Sequence, residues 1–113
     1  MENKLVLKDG SEIIDGFASK SSNNQLMLRI PGSDLPSAAI EFSLPEKTET
    51  IVCYYSIYKT TYTGFTVMFS IQYFADMNYI EVWLKPAEDV TPTMEQEIIV
   101  PEEYVPMEVT SNE

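Results

Sequence analysis

The stretch Thr66–Phe74 (TVMFSIQYF), followed four residues later by Tyr79–Lys85 (YIEVWLK), decides the fold class. Successive side chains of a strand point to opposite faces. On that period Phe65, Val67, Phe69, Ile71 and Tyr73 share one face, and Thr66, Met68, Ser70 and Gln72 the other. In the second segment Ile80, Val82 and Leu84 oppose Tyr79, Glu81, Trp83 and Lys85. Alternation of this kind marks half-buried strands and not a helix. Ala75-Asp76-Met77-Asn78 has the length and residue types of a hairpin loop between them.

The same reading extends toward the N-terminus. Lys4–Lys8 and Ser11–Ala18 flank Asp9-Gly10, a dipeptide suited to a type I′ hairpin turn, and Gly16 marks a bulge or bend in the second of them. Ser19–Asn24 is a polar loop, and Gln25–Ile30 a third strand with Leu26, Leu28 and Ile30 on one face. Pro31-Gly32 ends it. Ser33 or Asp34 then caps a short helix to about Phe42, with Pro36 in its first turn and Leu35, Ala39 and Phe42 toward the sheet. A loop is the alternative for so short a segment. In Thr50–Tyr58, Ile51, Cys53, Tyr55 and Ile57 oppose Val52, Tyr54, Ser56 and Tyr58. That strand is apolar on both sides and belongs in the middle of a sheet or under cover on both faces. Lys59–Gly64 (KTTYTG) reads as a connection.

The expected fold is therefore mainly β: a compact antiparallel sheet, barrel-like or a small sandwich, of about six strands with one short helix at about 34–42. Residues 1–85 form this domain. From Pro86 the composition changes, and residues 86–113 read as an acidic, proline-containing C-terminal arm. The arm carries eight acids and no base, whereas residues 1–85 carry ten acids against seven bases. Glu97–Val100 (EIIV) is a candidate edge strand or a segment that docks on another chain.

Composition narrows the chemistry. The chain of 113 residues has no histidine, which removes the commonest general base, the histidine-dependent nucleophiles and imidazole metal sites. Cys53 is the only cysteine, so an internal disulfide or a thiolate zinc site is ruled out, and in its apolar run it reads as a small buried hydrophobe. The four glycines are scattered and make no phosphate loop. Asp9, Asp15, Asp34 and Asp76 fall at expected turns, where aspartate serves the backbone. No catalytic residue, metal ligand or cofactor is expected, and the chain reads as a non-enzyme. With a net charge of −11 and few basic residues, direct nucleic-acid binding is disfavoured. No apolar run is long enough to cross a bilayer, and no signal peptide opens the chain, so a soluble protein made inside the cell and not bound to membrane is expected.

Two features point to a protein partner. Six tyrosines lie between Tyr54 and Tyr79, with Trp83 close behind. Cross-strand packing accounts for such residues, while a sheet face kept for a partner is the sharper reading, with Tyr54, Tyr58, Tyr79 and Trp83 as its members. In the arm, Ile98, Ile99, Val100 and Tyr104 stand among acids. A solvated tail explains the charge; a segment that engages another subunit, either a different protein or a second copy of this chain, explains the apolar residues as well.

Leu5-Val6-Leu7-Lys8-Asp9-Gly10-Ser11, Pro45–Ile51, Thr61–Thr66 and the final Ile80–Lys85 strand make the chain similar, over about residues 4–85, to small β-rich proteins of phages and prophages of Gram-positive gut bacteria. The resemblance implies a protein encoded near tail or baseplate components, found in the host cytoplasm when made and then in the virion. It carries over no catalytic residue. A non-enzymatic binding or structural protein is the expectation. The alternative is an acidic inhibitor of a host defence nuclease, of the anti-CRISPR or anti-restriction kind, that occupies a cationic nucleic-acid groove.

Overall fold

Short amphipathic strands are stable only when their apolar faces are buried against another layer, and in this chain two sheets supply that layer for each other. The computed structural model describes residues 3–99. In chain order the elements are β1 (Lys4–Val6), β2 (Glu12–Ile14), β3 (Phe17–Lys20), β4 (Leu26–Pro31), α1 (Leu35–Phe42), α2 (Pro45–Thr48), β5 (Thr50–Tyr55), β6 (Tyr58–Thr63), β7 (Val67–Phe74), β8 (Tyr79–Lys85) and β9 (Thr93–Ile98). The first sheet has the order β2-β1-β5-β6-β9 and the second β3-β4-β8-β7, with every pairing antiparallel. The fold is mainly β, as expected, in the form of a small open sandwich and not a closed barrel.

One core joins the sheets. Leu5, Ile51, Cys53 and Tyr62 enter it from the first sheet, and Ala18, Leu26, Leu28, Ile30, Ile80, Val82 and Leu84 from the second. The alternation of β8 is obeyed: its three aliphatic residues are fully buried, each contributing roughly 1.5–3 kcal/mol of burial. Helix α1 lies against β7 and β8. Asp34 caps it, its Oδ1 accepting from the Ser37 N–H at 3.1 Å, and Pro36 occupies the first turn. The buried residues are Ala38 and Phe42, with Leu35 partly covered, so the inward stripe uses Ala38 where Ala39 was expected. Lys47 of α2 lies 3.5 Å from Asp9 and 3.4 Å from Glu41, tying the first hairpin turn to the helices.

Among the described residues nine strands stand where about six were expected, and three local events account for the difference. Asp15 takes a positive φ (64°) and, with Gly16, breaks Ser11–Ala18 into β2 of the first sheet and β3 of the second. Ser56, also at positive φ (57°), folds Thr50–Tyr58 back on itself, so Tyr58–Thr63 is a strand and not a connection. The Ser56 N–H is held by Asn3 Oδ1 at 3.1 Å. Third, residues 93–98 of the acidic segment pair with β6 along six consecutive residues. The Asp9-Gly10 turn also differs from a type I′ turn. Only Gly10 has positive φ (90°), and its N–H bonds the Leu7 carbonyl while Leu7 N–H reaches Ser11, the pattern of a type I turn closed by a glycine bulge.

In β7 the period of two is interrupted. A bulge between Met68 and Ser70 adds one residue, so Met68 faces the core before it and Ile71 and Tyr73 after it. Phe69, assigned by simple alternation to the face of Phe65, is 43% exposed, while Phe65 is 0%. Phe65→Ala should therefore cost about 3–5 kcal/mol in denaturant unfolding and Phe69→Ala about 1 or less; equal losses would place the bulge elsewhere. At Gly16 an added Cβ would meet Leu5 Cγ at 2.9 Å, inside the core. Gly16→Ala should lower stability by about 1–3 kcal/mol, and an unchanged midpoint would show that Leu5 has room to move.

Candidate functional site

The aromatic residues singled out by sequence fall in three places and not on one face. Tyr79 and Trp83 are on the outer face of the second sheet, where Arg29 sits 4.6 Å from the Tyr79 ring and Trp83 Nε1 donates to Glu81 at 3.0 Å. Tyr54 is on the outer face of the first sheet, between Lys4 and Lys59, whose Nζ atoms lie 5.6 and 6.0 Å from its ring. Both outer faces therefore interleave aromatic rings with cations, and Lys4–Glu12 and Arg29–Glu81 pairs neutralise part of that charge. Tyr58 is elsewhere: it shares the inward-facing parity of Thr60 and Tyr62. Ile98 pairs with Tyr58, while Ile99 follows on the other parity and donates its N–H to the Ile57 carbonyl. Val100 and Tyr104 lie outside the described residues.

Tyr58 and Ile98 belong to a surface that arises because the sheets differ in reach. The second sheet ends at β3, which lies over β1 and β5. On the inner face of the first sheet, cross-strand rows run Ile51–Tyr62–Met94, Cys53–Thr60–Gln96 and Tyr55–Tyr58–Ile98. Ile51, Cys53, Thr60 and Tyr62 are buried, Tyr58 is 38% exposed, Met94 is 49% and Ile98 63%. The β9 end of this inner face is thus an overhang. Between it and the edge of β3 lies a cleft of about 230 Å³ lined by Phe17, Tyr55, Tyr58, Tyr62 and Gln96 among others. Phe17 and Tyr55 meet edge to face, with ring centroids 5.1 Å apart. Gln96 Nε2 donates to the buried Thr60 hydroxyl at 3.0 Å.

Of this surface, sequence had indicated Tyr58 and Ile98 and missed Tyr55, Met94 and Gln96. A signal was present: in Thr93–Ile98 the glutamates occupy every second position (Glu95, Glu97) and uncharged residues the rest. The high acid content and prolines of the surrounding segment hide it. Among the described residues no group of three or more His, Cys, Asp or Glu side chains could hold a metal ion. No described helix is long and apolar enough to cross a membrane. Asp9, Asp15 and Asp76 are in turns and Asp34 caps a helix, so the body aspartates do not converge.

At the floor of the overhang, Tyr62 spans the seam between the sheets, with its hydroxyl 3.5 Å from the Ala18 carbonyl. Burial, reinforced by the neighbouring Cys53 and opposed by the Thr60 hydroxyl, pushes its phenol up to about 12 from an ordinary 10.0. Burial likewise raises the Cys53 thiol. A native state that holds the Tyr62 proton more tightly than the unfolded chain keeps that contribution in full below about pH 10 and loses it as pH rises toward 12. Wild-type protein should lose up to about 3 kcal/mol across that interval. Tyr62→Phe should flatten the decline; an identical alkaline limb in the variant would place the titrating group elsewhere. Native Cys53 should resist thiol reagents until the protein unfolds.

The chain matches no protein-family model, no curated protein and no solved structure.

Proposed function

We propose that this chain is a non-enzymatic protein-binding module and that the overhang of β6 and β9 is its contact surface. The observation that carries this reading is the rise in exposure toward β9 along the inner-face rows, from buried Ile51 and Tyr62 to half-exposed Met94 and from buried Cys53 and Thr60 to exposed Gln96, beside a third row, Tyr55–Tyr58–Ile98, that is exposed along its length. Tyrosine, methionine and isoleucine gathered beside a concave edge are what interface cores are made of. Such a patch costs solubility unless it is covered in use. Ile57 (43% exposed) extends the patch along the hairpin turn. The aromatic residues of the two outer faces are engaged by Lys4, Lys59, Arg29 and Glu81, which supports a packing role for them. The setting we propose, on the resemblance to phage-encoded β-rich proteins, is a virion or tail assembly in which the covered surface belongs to another protein chain.

Photo-crosslinking side chains placed at Tyr58 or Ile98, in cells that make the protein, should give a crosslinked species of defined mass. The same groups at Met27 or Glu81, on the far sheet, should not. Ile98→Asp, expected to change stability by less than about 0.5 kcal/mol because the side chain is exposed, should abolish the species formed from position 58. Equal crosslinking from both sheets, or none from the overhang, would overturn the assignment.

A further inference from the structure

We infer that the free edge of β9 takes up an extended partner segment as an added strand, one whose side chains alternate between Lys or Arg and apolar residues. This deepens the binding reading above and rests on it. Three observations converge on that occupant.

The first is the backbone. Ile99 N–H bonds the Ile57 carbonyl at 2.6 Å, which fixes the phase of the β6–β9 ladder. Alternate residues of an antiparallel pair turn their N–H and C=O groups toward the partner. Thr93, Glu95 and Glu97 therefore use theirs on β6, and Met94, Gln96 and Ile98 direct theirs to the outside. β9 ends its sheet, so among the described residues no strand meets that edge. An edge of this kind is a template for a further strand.

The second is the pattern of side chains. Glu95 and Glu97 stand on the outer face of β9, and Met94, Gln96 and Ile98 on the inner one. Neither glutamate forms an ion pair with a described residue. An added strand presents one residue in two to each face. Cations on one side would meet Glu95 and Glu97, and apolar residues on the other would cover Met94 and Ile98 and continue over Tyr58.

The third is that charge disfavours a second β9 in the registers with most overlap. An antiparallel pair of β9 strands that keeps like faces together sets a glutamate opposite a glutamate in each register centred on Glu95, Gln96 or Glu97, an unfavourable arrangement. A slip by one residue instead places the glutamates beside Met94 and Ile98. Charge complementarity therefore favours a partner of opposite charge pattern over a second copy.

The test uses the full chain and a labelled ten-residue peptide of alternating lysine and valine. Its controls are an alternating glutamate–valine peptide, a blocked peptide of the same lysine and valine content, and an alternating peptide N-methylated on every second residue. Binding is read by fluorescence anisotropy and by amide exchange. The alternating basic peptide should bind, and on binding the Met94, Gln96 and Ile98 amides should become protected while those of Glu95 and Glu97 are protected throughout. Binding to the acidic, blocked and methylated peptides should be weaker by about tenfold or more. The double substitution Glu95→Lys with Glu97→Lys should reverse the preference toward the acidic peptide, which general attraction to an acidic chain would not do. Equal binding of the blocked peptide, no reversal, or protection away from β9 would overturn the inference. So would a dimer abolished by Ile98→Asp, which assigns the edge to a second copy, or binding that appears only after residues 100–113 are removed, which assigns it to the chain's own C-terminal segment. If crosslinks from positions 58 and 98 persist while the peptides fail, the strand-addition mode falls and the binding surface stands.

Discussion

Two sheets of unequal reach share one apolar interior, and the rest of the molecule follows from that mismatch. The five-stranded sheet runs on past the edge of the four-stranded one, so its inner face is core at β1 and β5 and surface at β9. An aliphatic side chain on this face is stabilising at one end of a row and a solvent-exposed liability at the other. The same cross-strand row passes from Ile51, with 0% exposure, to Met94 within three strands.

The mismatch begins at one short segment. At Asp15-Gly16 the chain leaves the first sheet and enters the second, and the two halves of what would be a single strand end up in different layers. Gly16 makes the crossing possible because any side chain there would collide with Leu5. β3 is thereby left as the edge of the second sheet. There the Tyr62 hydroxyl meets the Ala18 carbonyl, and the buried phenol serves as a polar seal between layers. Among the described residues no buried side-chain nitrogen or oxygen lacks a hydrogen-bond partner. The inner polar groups of this sandwich are thus matched to one another, which is the condition for burying them without loss.

Charge is arranged on a different plan from hydrophobicity. Within the sandwich body, acids are held beside bases: Glu12 with Lys4, Glu49 with Lys8, Glu81 with Arg29, and Asp9 and Glu41 with Lys47. Asp9 is also held below the usual carboxylate range by hydrogen bonds with Ser11, with Lys47 helping. Along β9 the pattern changes, and Glu95 and Glu97 stand on a sheet edge whose opposite face is apolar. Polarity there alternates with the strand itself.

What the sequence by itself determined is the two-residue rhythm and its phase in the long strands. Ile80, Val82 and Leu84 enter the core as alternation requires, Leu26, Leu28 and Ile30 do the same, and of the two expected caps, Ser33 and Asp34, it is Asp34 that caps the helix. Periodicity is a local property, so the sequence carries it in full. What only the tertiary structure decided is where strands stop and which face is covered. Ser56 adopts a positive φ without a glycine because Asn3, distant in sequence, holds its N–H. The bulge at Phe69 reverses the phase of β7 with no glycine or proline to announce it. Most of all, Ile51 and Cys53 of β5 and Met94 and Ile98 of β9 lie on the same inner face, yet the first two are buried and the last two exposed. Coverage is set by the width of the opposing sheet, and no residue in β9 encodes how far β3 reaches.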